Sequence, residues 1–178
     1  LGMENTELVR SSVEQLKRLA IEQLTQNEVE EAGAVPVSSK ENKLIYLICD
    51  PQDERAVEPV EDYFYDLGYE VKVPAFDGDP QTFIKVHQEI LTMCAGALIF
   101  FGRASNQWVE TKLMDLLKAP GFGRKQPLDA QAIYIAPPDN RRKDRFRTRR
   151  AMVLRGGEEF DPSTLQPFLA KLGPPAGK

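Results

Sequence analysis

The chain has 178 residues, of which 42% are hydrophobic and 28% charged, and its formal net charge is −4. That is the composition of a folded globular protein long enough to bury a sizeable core, and so weak a net charge implies no global attraction to nucleic acid or to a membrane surface. No run reaches the roughly 20 apolar residues that span a bilayer, and no basic stretch followed by an apolar core opens the chain as a secretory signal would, so a cytoplasmic location is expected.

Residues 4–31 are predicted to form an amphipathic helix, because Leu8, Val9, Val13, Leu16, Leu19, Ala20 and Leu24 recur at steps of three and four. Gly33, Pro36, Ser38 and Ser39 mark a linker behind it. This divides the chain into a helical arm with its linker at 1–38 and an α/β domain at 39–178. The apolar stripe of the arm needs cover, either on the domain or on another chain, so self-association or docking on a partner is expected.

From residue 43 the pattern alternates. Strand 43–49 leads to a helix at about 52–67, closed by Gly68 where a left-handed cap is expected. Strand 69–73 precedes a loop at 74–80 and a helix at 81–93. Strand 96–101 is followed by helix 107–118, ended by Pro120-Gly121. Strand 131–136, a basic segment, a short strand at 151–154 and a final helix near 162–172 complete the chain. Nearly continuous apolar strands alternating with helices argue for a parallel sheet covered on both faces. With right-handed crossovers this is a flavodoxin-like, doubly wound sheet of about five strands.

Sites in such sheets form where strand ends meet helix starts. Two junctions qualify here: Asp50 and Asp53 after the first strand, and Gly102, Arg103, Ser105 and Trp108 after the third. Asp50 and Asp53 suit either a helix cap or a ligand contact. Gly102 and Ser105 would let a phosphate approach the amides at the start of helix 107, although the glycine-rich dinucleotide fingerprint is absent. Arg103 beside that loop is a candidate for a phosphate or a partner's carboxylate. Trp108 is either an anchor packing its helix on the sheet or a ring stacked on a base. The run from Arg141 to Arg150 concentrates positive charge, which suits a solvated loop, a docking surface for an acidic partner, or pairing with Glu54, Glu58, Glu61 and Asp62 in the same chain. Its one aromatic, Phe146, does not make a stacking platform, so nucleic acid is not expected. The single histidine, His87, lies mid-helix between Phe83 and Leu91, which predicts packing or surface exposure and no metal site. Cys49 and Cys94 fit reduced structural thiols.

The layout resembles the Toll/interleukin-1 receptor (TIR) domain, especially the bacterial TIR-like proteins, over residues 43 to about 172. Cys49-Asp50 with Asp53-Glu54 looks like the family's opening box, loop 74–80 with Phe76 falls where the family carries its interaction loop, and Ser105-Asn106-Gln107-Trp108 looks like its serine loop before a tryptophan. The resemblance implies a signalling and protein-interaction module, in bacterial defence or stress signalling, that associates through loop 74–80 and the arm and requires no cofactor. In enzymatic members a glutamate four residues after the tryptophan supports cleavage of NAD. Lys112 stands there in this chain, and Glu110 lies about 200° around the helix from Trp108. An inactive cleft is therefore expected, with an NAD glycohydrolase using Glu110 as the alternative and a non-catalytic nucleotide-sensing domain as a third. In those readings NAD or a related nucleotide would meet Asp50, Asp53, Phe76, Gly102, Arg103, Ser105 and Trp108.

Overall fold

The computed structural model describes residues 43–76 and 78–175, all within a compact unit that spans Lys40–Lys178. The helix expected at 4–31 lies outside the described residues. Five strands form one sheet: β1 (Leu44–Ile48), β2 (Glu70–Lys72), β3 (Gly96–Phe101), β4 (Ala130–Ile135) and β5 (Met152–Arg155). Their order is β2-β1-β3-β4-β5, and every pairing is parallel. Between them run α1 (Glu54–Asp66), α2 (Pro80–Met93), α3 (Asn106–Lys118) and the single turn α4 (Arg141–Asp144), with α5 (Gln166–Leu172) at the end. This is the flavodoxin-like, doubly wound sheet that the alternating pattern predicts.

The helix limits follow from local chemistry. Asp79 accepts from the amide of Thr82 at 3.1 Å and Pro80 occupies the first turn, which starts α2. Gly68, at φ 91°, closes α1 in the left-handed region as expected. The α2 end is tied differently: the Arg124 guanidinium donates to the carbonyls of Leu91 at 2.8 Å and Cys94 at 2.7 Å.

The strand period of two sorts the core into two layers. Ile45, Leu47, Leu98 and Phe100 point to the face covered by α1 and α5, where Phe64 and Phe168 are fully buried. Tyr46, Ile48, Ala97, Ile99 and Phe101 point to the other face, covered by Leu91 of α2, Val109 and Leu113 of α3, and Phe146. The basic segment is thus less uniform than its sequence implies. Lys143 and Phe146 within it are buried, the Lys143 ammonium donating to the carbonyls of Ala136 at 2.5 Å and Pro138 at 2.8 Å. No ion pair joins this segment to Glu54, Glu58, Glu61 or Asp62 among the described residues, because α1 lies on the opposite face of the sheet. No described helix is long and apolar enough to cross a membrane.

Both cysteines are free and buried. Burial pushes the Cys49 thiol up to about 12, with Asp53 and Glu54 adding to it, and burial likewise raises Cys94 to about 11. Since the thiolate is the nucleophile, neither cysteine should react with a disulfide reagent at pH 8 in the folded protein, and both should react once it is unfolded in guanidinium. Rapid modification of one thiol under native conditions, counted by released thionitrobenzoate, would contradict this packing.

Candidate functional site

The crevice expected from topology lies between the carboxyl ends of β1 and β3, where the chain leaves in opposite directions. It is filled from within. Asp53 is 1% exposed, and both its carboxylate oxygens accept from the backbone amide of Arg103, at 2.8 and 2.9 Å. Gly102 has no side chain because none fits, a Cβ there falling 2.4 Å from Asp53 Oδ1. A second amide is also engaged: Ser105 Oγ caps α3 by accepting from the Trp108 amide at 3.1 Å. Of the amides at which the sequence suggests a phosphate, those of Arg103 and Trp108 are engaged by the protein's own carboxylate and hydroxyl. Asp50 likewise serves as a cap, accepting from the amide of Gln52 at 3.0 Å. The Arg103 side chain is exposed.

An open cavity of about 430 Å³ lies instead to one side, between α2 and α3 and beside the end of β1. Phe76, Phe83, Trp108 and Phe122 are among its walls. On α3, Trp108, Lys112 and Asp115 are spaced i, i+4, i+7 and so share one stripe turned to the cavity. On α2, Phe83, His87 and Ile90 do the same from the other side. Glu110, two residues from Trp108, falls on the far side of α3, exposed and paired with Arg150 at 3.4 Å. Of the residues proposed from sequence, the structure brings Trp108 and Phe76 to the cavity and leaves Glu110, Asp50, Asp53, Gly102, Arg103 and Ser105 out of its lining.

The polar groups of the cavity form a chain. Tyr46, at the buried end, lies 2.7 Å from His87 Nδ1. Burial raises the pKa of this phenol well above its ordinary value, so it keeps its proton and donates to Nδ1. The ring proton of neutral His87 then sits on Nε2, an assignment that rests on this network. Nε2 is 3.4 Å from Asp115 Oδ2, within ion-pair distance but outside hydrogen-bond geometry, so this buried nitrogen lacks a formal partner. Asp115 also faces Lys112 at 3.6 Å, and the Lys112 ammonium lies 5.8 Å from the Trp108 ring centre. Sequence reasoning expected His87 to be a packing or surface residue and did not single out Asp115. The signal that would have found them is the matched helical spacing on two neighbouring helices, Phe83-His87 and Trp108-Lys112-Asp115.

The pKa of His87 is lowered, first by burial and then by the Lys112 charge, with Asp115 opposing. The unfolded state therefore binds a proton more readily than the folded one as pH falls below about 6.5. Stability from this group is complete above that value and is lost as pH falls through the folded pKa. Because the chain has one histidine, His87→Gln should flatten the dependence of melting temperature on pH between about 7 and 5.5. Parallel curves for wild type and variant would contradict a neutral, buried imidazole.

No family model matches the chain, and no curated protein matches it. Among solved structures it is similar to a 2-deoxyribosyltransferase from Bacillus psychrosaccharolyticus, at 15% identity and a TM-score of 0.41, over 68% of this chain and 95% of that one. A likeness so distant carries no functional argument. The expected membership of the Toll/interleukin-1 receptor family is corrected by these comparisons, since no model of that or any other family matches. The signalling module and its NAD-cleaving alternative, which rested on that resemblance, fall with it. The resemblance drew on the order of elements that any flavodoxin-like sheet shares, and the residue it offered for catalysis, Glu110, points away from the cavity.

Proposed function

We propose that this domain binds a flat aromatic small molecule in the cavity between α2 and α3. The observation that carries the reading is the juxtaposition of aromatic walls, Phe83 and Trp108 on facing helices, with an adjacent donor and acceptor, Lys112 and Asp115, in the same space. Binding sites for small molecules are mostly apolar with a few placed polar groups, and the volume of about 430 Å³ lies within their usual range. Lys112 donates and Asp115 accepts, so the matching ligand edge carries an acceptor beside a donor, as a heteroaromatic amide does. His87, oriented by its bond to Tyr46, flanks Asp115 at 3.4 Å and acts as a positioning residue. The Arg103 and Trp108 amides at the β1/β3 crevice are already engaged within the protein, which leaves fewer donors there for a phosphate.

The single tryptophan makes the test direct. Titration with flat heteroaromatic amides such as quinolinone and isoquinolinone should quench Trp108 emission saturably and raise the melting temperature. Lys112→Met and Asp115→Asn should each weaken the tightest such compound at least about tenfold, as expected when the partner of a buried polar group is removed. Emission unchanged across the set, or binding indifferent to both substitutions, would contradict the proposal.

A further inference from the structure

The arginine-rich turn after β4 has a fixed backbone and free charges. Lys143 and Phe146 anchor it inward, Phe146 packing edge-on against Phe101 at 5.5 Å, and Asn140 caps its first turn by accepting from the amides of Arg142 and Lys143. Two of its arginines are engaged, Arg147 with the carbonyls of Asp144 and Phe146 and Arg150 with Glu110. Arg141, Arg142, Arg145 and Arg149 are exposed and make no ion pair among the described residues. On the opposite face of the sheet α1 presents a mostly acidic surface that also carries the exposed Arg55. Glu54, Glu58, Asp62 and Asp66 are exposed, Glu61 is half-buried, and none of them is in an ion pair among the described residues. The pKa of Glu61 is raised, first by burial and then by the neighbouring charges of Asp62 and Glu58.

We propose that the arginine-rich turn and the acidic face of α1 are the two halves of a head-to-tail interface between copies of this chain. Within one molecule the sheet separates them; between two molecules they are complementary in charge. The acidic stripe from Glu54 to Asp66 extends on the order of 18 Å along its helix, enough for several arginine forks to meet carboxylates side by side. Because each copy carries both halves, the contact is heterologous and leaves a free half at each end, so it can repeat. Nucleic acid is the poorer partner for the turn, since Phe146 is buried and unavailable for stacking and the chain as a whole is acidic.

The full chain should be compared by sedimentation velocity in about 0.02 M and about 0.5 M NaCl, where screening lengths differ several-fold. The expected result is a larger mean mass at low salt, by twofold or more. That gain should be absent from Arg145→Gln/Arg149→Gln and from Glu58→Gln/Asp62→Asn, both confined to exposed side chains. An equimolar mixture of the two variants should regain a salt-sensitive complex that pairs one of each and grows no further, because each retains one intact half. The proposal is overturned if the wild type has the same mass at both salt concentrations, if either variant keeps the gain, or if the mixture does not restore it.

Discussion

Gly102→Ala is expected to destabilise the domain by about 3 to 5 kcal/mol, lowering its melting temperature by roughly 10 °C or more. The new methyl would sit 2.4 Å from Asp53 Oδ1 and 2.6 Å from Asp53 Cγ. Something must move, and either course breaks the bonds that Asp53 accepts from the Arg103 amide, at 2.8 and 2.9 Å, and leaves a buried carboxylate without its donor. Gly121→Ala is the control, because nothing lies within 4 Å of a Cβ there. It should change stability by no more than about 1 kcal/mol, in the stabilising direction if the backbone tolerates it. Chemical denaturation of both variants decides the matter: equal, small effects would mean that Asp53 does not fill the crevice as described.

The second large effect concerns the cavity. Trp108→Ala should weaken the tightest ligand by about 30-fold or more, the usual consequence of truncating a tryptophan anchor at the centre of a contact. Trp108 is half-buried and packs only at the margin of its core layer, so the domain should remain folded, with a loss of about 1 to 2 kcal/mol. Calorimetry reads the affinity without needing the removed fluorophore. Glu110→Ala, on the far side of the same helix, should leave binding unchanged. A loss of affinity in Glu110→Ala equal to that in Trp108→Ala would mean that the ligand sits on the outer face of α3.

The fold was legible because its signals are local. The apolar run Leu44–Ile48 and the left-handed Gly68 each state their structure within a few residues. The alternation of strand and helix then leaves few topologies, since parallel strands need crossovers of one hand. The site was legible only in part, because its contacts join positions far apart in sequence. That Asp53 would turn from a helix start to the Arg103 amide depends on β1 and β3 being neighbours, a fact that no stretch of sequence carries. His87 looked like a packing residue because its partners, Tyr46 and Asp115, come from a different strand and a different helix. The basic run misled in the other direction: its composition suggested uniform exposure, while Lys143 finds two carbonyls at the end of β4 and Phe146 finds Phe101. Resemblance to a family went astray because it rested on the order of strands, helices and loops, which flavodoxin-like sheets share whatever they do.

The most direct test of the central claim is a crystal structure of the protein soaked with the heteroaromatic amide that binds most tightly. The account predicts density for the ring between Phe83 and Trp108, its amide edge within hydrogen-bond distance of Lys112 Nζ and Asp115, and Asp53 still bonded to the Arg103 amide. Density at the β1/β3 crevice with Asp53 displaced, and an empty space between α2 and α3, would contradict it.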